Sequence, residues 1–125
     1  MKVIITITES ALPIARTIQR EWLDAEVVRM SDKTFLTEHW KELECVVFVG
    51  AMGICVRTIA PLLNDKYTDP AVICVDSTGK YVIPVVSGHI GGANDYSKRI
   101  AAILGGEAII TTQSDNLGLW AIDTF

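Results

Sequence analysis

The sequence predicts an α/β domain: three layers, α/β/α, around a mostly parallel sheet of about five to six strands with one antiparallel hairpin. Two patterns carry this expectation. Short β-branched runs alternate with segments of helical period along the chain. One strand pair, "AVICV" (71–75) and "YVIPVV" (81–86), is instead joined by "DSTGK", where Gly79 suits a hairpin turn. Half of the 125 residues are apolar, which suits a single packed domain and excludes a disordered chain.

The elements follow in order. "KVIITIT" (2–8) reads as a buried first strand. Ser10 is placed to cap the next helix, and Pro13 falls in its first turn, where it is tolerated. Leu12, Ala15, Ile18 and Trp22 recur at helical spacing. "AEVVRM" (25–30) is a second strand, and "KTFLTEHWKE" a short helix with Phe35, Leu36 and Trp40 inward and His39 as a packing residue. "ECVVFVG" (44–50) is the clearest strand. It runs into "GAMG" and a helix with Met52, Val56, Ile59 and Leu63 on one face, which Pro61 should kink or end. Pro84 makes the second hairpin strand an edge or a bulged strand. A helix over roughly 93–104 then stops at Gly105, and "EAIITT" (107–112) is the last strand. Residues 1–112 therefore read as the α/β domain, and 113–125 as a linker-like tail.

Composition bounds the function. A formal charge of −4 and a pI near 5.0 argue against nucleic acid as a partner. Lys98–Arg99, the adjacent basic pair, falls on a predicted helix and reads as a solvated face. Cys45, Cys55 and Cys74 include no C-x-x-C pair, which fits a reducing cytoplasm and argues against a metal site. No apolar run approaches the roughly 20 residues a spanning helix needs, and the N-terminus is too quickly polar for a signal peptide.

Four loops that follow strands are unusually polar or glycine-rich: "TES" (8–10), "GAMG" (50–53), "SGHIGGAND" (87–95) and "TTQSD" (111–115). If the strands preceding them are parallel, all four open on one edge of the sheet, where such folds place their ligands. Neither glycine loop is a nucleotide fingerprint: G-x-G-x-x-G after the first strand and G-x-x-x-x-G-K-[ST] are both missing. What a glycine-rich loop opening a helix does offer is backbone amides for a carboxylate, a phosphate or a developing oxyanion. Arg57 would add a positive charge to that edge, or else pair with an acidic neighbour on the helix surface. His89 is either a turn residue bonded to nearby backbone or a general acid or base. Ser87 reads as a ligand or capping group first and a nucleophile second, since no G-x-S-x-G elbow surrounds it. Asn94 and Asp95 can cap the helix that follows.

The blocks "GAMGICVRTIAPLL", "DKYTDPAV", "VIPVVSGHIGGAN" and "AIITTQSD" together resemble the cobalamin-biosynthesis protein G (CbiG) family, in that family's order and spacing. The resemblance covers nearly all of 44–115; residues 1–43 match only in their strand–helix pattern. It implies a cobalt-precorrin-5A hydrolase, which opens a δ-lactone on a cobalt-containing tetrapyrrole and releases acetaldehyde. The substrate carries the cobalt, and no other cofactor is implied. His89 and Ser87 then become the catalytic candidates. Gly50, Ala51, Met52, Gly53, Arg57, Gly88, Gly91, Gly92 and Asn94 become substrate-binding candidates, with the amides of Gly53 or of Gly91 and Gly92 as an oxyanion hole. Family members continue into a separate C-terminal domain, so this chain is expected to be the N-terminal domain, with that missing portion as a partner. Two other readings remain: a non-catalytic module that binds corrinoid carboxylates or docks a pathway partner, and a nucleotide- or phosphate-binding domain. A homodimer would cover apolar surface left near Pro84 and the tail.

Overall fold

A computed structural model describes residues 1–31 and 34–112. Its elements in chain order are β1 (Lys2–Thr6), α1 (Leu12–Glu21), β2 (Ala25–Arg29), α2 (Thr34–His39), β3 (Cys45–Val49), α3 (Met52–Ile59), β4 (Ala71–Val75), β5 (Tyr81–Val86), α4 (Ala93–Leu104) and β6 (Glu107–Ala108). The six strands form one sheet in the order β2-β1-β3-β4-β5-β6. All neighbours are parallel except β4 and β5, whose antiparallel pairing matches Val75 with Val82 and Val72 with Val86.

Strand alternation divides the core between two faces. Ile4, Val47, Val49, Ile73 and Val75 point to the side covered by α1 and α4, through Ala15, Ile18, Ile100 and Ala101. Val3, Ile5, Val46, Phe48, Val72 and Cys74 point to the side covered by α2 and α3, through Leu36, Cys55 and Ile59. β3 and β4 are buried at every residue because each is central and covered on both faces. The expected three-layer α/β/α architecture is the one observed.

The differences are local. Ser10 does not cap α1: it lies in a 3-10 turn over Glu9–Ala11, and its hydroxyl bonds that of Thr8 at 3.0 Å. α3 is rotated from the expected face, with Cys55 and Ile59 inward and Val56 exposed, because the small Cys55 fits closely beside Cys74. That contact and burial push the Cys55 thiol up. Pro61 ends α3 in a 3-10 turn, Ala60–Leu62. Pro84 meets the ladder at a bulge between Val72 and Ile73, beyond Tyr81 and Val82, where β6 pairs. β6 itself is two residues long, shorter than expected. The proposed tail, 113–125, lies outside the described residues. No described helix is long and apolar enough to cross a membrane.

One consequence of the hairpin governs the site. β5 runs against β1–β4, so Val86 lies beside the start of β4, at the rim where the four parallel strands begin.

Candidate functional site

The four loops do not share a mouth. Thr8–Ser10 and Gly50–Gly53 stand at the carboxyl rim of β1 and β3; the Gly50 amide donates to the Val75 carbonyl at 2.9 Å, and the Gly50 carbonyl accepts from Cys74 Sγ at 3.3 Å. Ser87–Gly92 stands at the opposite rim, where Ser87 Oγ donates to the Asp69 carbonyl at 3.4 Å. Thr112 joins that second rim through Asn94, whose Nδ2 donates to Thr112 Oγ1 at 3.2 Å. At the usual rise of a strand, the length of β4 separates the two rims by about 13 Å. The expectation of one edge is thus corrected. Gly53 cannot supply an oxyanion amide to a carbonyl attacked beside His89, and Gly50, Ala51, Met52 and Arg57 do not line His89's rim.

At the carboxyl rim, Ala51 is the N-cap of α3 without a side-chain cap, Met52 packs partly into the core, and Gly53 is exposed. Arg57 sits exposed in the second turn of α3. A small cleft of about 210 Å³ lies beside β1 and β2 at this rim, between Arg16 and Arg29, with Arg29 paired to Glu9 at 3.5 Å.

The second rim is built more deliberately. Ser87 takes φ 59, a left-handed conformation unusual for a residue other than glycine, and the turn it opens is fixed by its own carbonyl. That carbonyl accepts the amides of Gly91 at 3.1 Å and Ala93 at 3.2 Å, and the Gly88 carbonyl accepts that of Asn94 at 3.1 Å. The Gly91 amide is therefore already committed, so it is not available as an oxyanion donor. Gly92 is the N-cap of α4 at φ 84 and needs to be glycine for that reason. Asn94 is buried and bonded to Thr112, so it ties α4 to the chain after β6 instead of capping the helix. His89 lies exposed at the tip of the turn. The Ser87 hydroxyl points to Asp69, which makes Ser87 an anchor for the turn.

The turn also requires a bare backbone at Gly91. A Cβ there would come 2.7 Å from Ser87 Cβ and 3.0 Å from the Ser87 carbonyl oxygen. Gly91→Ala is expected to destabilise the domain by about 1–3 kcal/mol. Urea unfolding checks this; a midpoint equal to that of the unsubstituted chain would show that the turn yields freely.

Residues that sequence reasoning passed over complete this rim. The Asp69 carboxylate accepts Trp40 Nε1 at 3.2 Å and the Asn64 amide at 3.0 and 2.8 Å, while its carbonyl receives Ser87. Trp40, Lys41, Leu62, Leu63, Asn64 and Asp69 line a cleft of about 540 Å³ next to the turn. On the other side of the turn, Gly92, Asp95, Tyr96 and Arg99 border a cleft of about 310 Å³. The "TDP" of "DKYTDPAV" gave a signal for Asp69, since Asp before Pro favours loop bonding. Its bond to Trp40, 29 residues away, had none. His39 packs on Phe35, ring centroids 4.6 Å apart, as expected.

Comparison with known proteins places these loops in context. The family model described as "Cobalamin synthesis G N-terminal" matches residues 34–115, which include both rims' glycine loops and Asp69. The cobalt-precorrin-5A hydrolase of Salmonella typhimurium is 48% identical over 79 residues, covering 63% of this chain and 22% of that protein. The cobalt-precorrin-5A hydrolase of Priestia megaterium is 34% identical over 140 residues, covering 98% of this chain and 37% of that protein. A crystal structure of a cobalamin biosynthesis protein G homolog from Sulfolobus solfataricus superposes with a TM-score of 0.79 at 32% identity, covering 88% of this chain and 36% of that one. The chain thus spans well under half the length of each of these relatives. It belongs to the cobalamin synthesis G N-terminal family.

Proposed function

We propose that the chain is the N-terminal domain of a cobalt-precorrin-5A hydrolase of cobalamin biosynthesis, and that its working edge is the rim of Ser87–Asn94. The observation that carries this reading is the turn itself. A non-glycine residue at φ 59 and a glycine N-cap at φ 84 hold an exposed imidazole at the mouth of a helix, inside the matched segment. Strain of this kind gathers at functional sites.

In this reading His89 takes a proton from water as the water oxygen attacks the lactone carbonyl carbon. The Gly92 amide and the α4 dipole stabilise the oxyanion. The acyl–oxygen bond then breaks, leaving a carboxylate on the ring and a hydroxyl on the C20 carbon. Solvent takes the hydroxyl proton as the bond from C20 to the ring breaks, so that acetaldehyde leaves and that bond's electron pair passes into the conjugated macrocycle. The reading requires no resident cofactor, because cobalt arrives with the substrate. Three buried free thiols support a cytoplasmic location.

A binding module is the second reading, favoured by the 37% or less of each curated relative quoted above that the chain spans. Incubating the 125-residue chain and the full-length protein separately with cobalt-precorrin-5A, and assaying acetaldehyde, decides between them. Release by both places the chemistry in this chain. Release by the full-length protein alone, with binding by the chain, makes it the module. No release by either overturns the proposed activity.

A further inference from the structure

The cleft at Trp40 stands where a large ligand held at His89 would extend. Its volume, about 540 Å³, falls within the roughly 300–1,000 Å³ of ordinary ligand sites. Its walls are apolar side chains at the edge of the core: Trp40 is 9% exposed, Leu62 packs half-buried against the same cluster, and Leu63 is 40% exposed. Lys41, exposed, and Asn64 bring polar groups to the lip. The cleft is also joined to the catalytic turn. Asp69 holds Trp40 and the Asn64 amide through its carboxylate and Ser87 through its carbonyl, and His89 is two residues further, at most about 7 Å by Cα. The smaller cleft at the opposite rim lacks this continuity, and Glu9 already neutralises its Arg29.

We propose that this cleft seats one edge of the macrocycle, with the ring against Trp40, Leu62 and Leu63 and a peripheral carboxylate on Lys41, while the lactone edge lies over His89. An apolar wall of Leu62 and Leu63, with the exposed edge of the Trp40 indole, suits a flat conjugated ring, and a single lysine favours an acid-fringed one over its amidated counterpart. The inference rests on the function proposed above and adds to it the seat and the charge that select the ligand.

The test uses the full-length protein and two corrin probes: cobyrinic acid, whose side chains end in carboxylates, and cobinamide, in which these are amides. Calorimetric titration is expected to show tighter binding of cobyrinic acid. Lys41→Glu should weaken cobyrinic acid by about 3- to 10-fold and leave cobinamide unchanged, as for loss and reversal of one exposed ion pair. Leu63→Asp should weaken both probes by about 10-fold, because a charge replaces apolar contact. Both side chains are exposed; a variant with a lowered melting temperature is replaced by Lys41→Gln or Leu63→Ser. Wild-type binding of neither probe, or variants that bind both as wild type does, overturns the cleft. Acetaldehyde release from cobalt-precorrin-5A, measured on the same preparations, separates the two claims. Release retained beside unaltered binding in the variants rejects the cleft alone, whereas no release by wild type rejects the hydrolase.

Discussion

His89→Ala is expected to lower kcat for acetaldehyde release by the full-length protein by about 10²–10⁴-fold, the usual contribution of a positioned acid or base. The melting temperature should change little, because the imidazole lies exposed on a turn whose shape is set by backbone bonds to the Ser87 and Gly88 carbonyls. This separation of rate from stability makes the variant informative. Activity within about threefold of wild type would place the base elsewhere and leave His89 as a turn residue.

Asp69→Ala is expected to have the largest effect on stability, about 2–4 kcal/mol. It removes two charge-assisted hydrogen bonds and leaves the indole N–H of the largely buried Trp40 and the Asn64 amide without their acceptor. Asp69→Asn keeps an acceptor oxygen and should lose about half as much. Urea unfolding gives the comparison: midpoints should fall in the order wild type, Asn, Ala with one common slope. An alanine variant within about 0.5 kcal/mol of wild type would mean that the loop before β4 is held by its apolar contacts alone.

How far the sequence reveals this molecule depends on the range of the interaction. The three layers are legible because period-2 and period-3.6 patterns are local, and Pro61 and Gly105 act on the residues beside them, whereas the N-cap of α4 is Gly92 and not Asn94 or Asp95. The facing of α3 differs from the apolar pattern because Cys55, next to Cys74 on β4, is buried in place of Val56. The separation of the rims has a different origin. The hairpin at "DSTGK" reverses the chain and sends the end of β5 to the rim opposite the end of β3. The loop "SGHIGGAND" therefore had to part from "GAMG", a consequence available from the turn alone. Trp40–Asp69 and Asn94–Thr112 were not legible, because pairing across 29 and 18 residues depends on the assembled sheet.

The most direct test of the account is a crystal structure of the full-length protein with a carboxylate-fringed cobalt tetrapyrrole bound. The ring should lie against Ser87–Asn94, with its lactone edge within hydrogen-bond reach of His89. A ring seated on Gly50–Gly53 at the far end of β4, with the His89 rim bare, would contradict it.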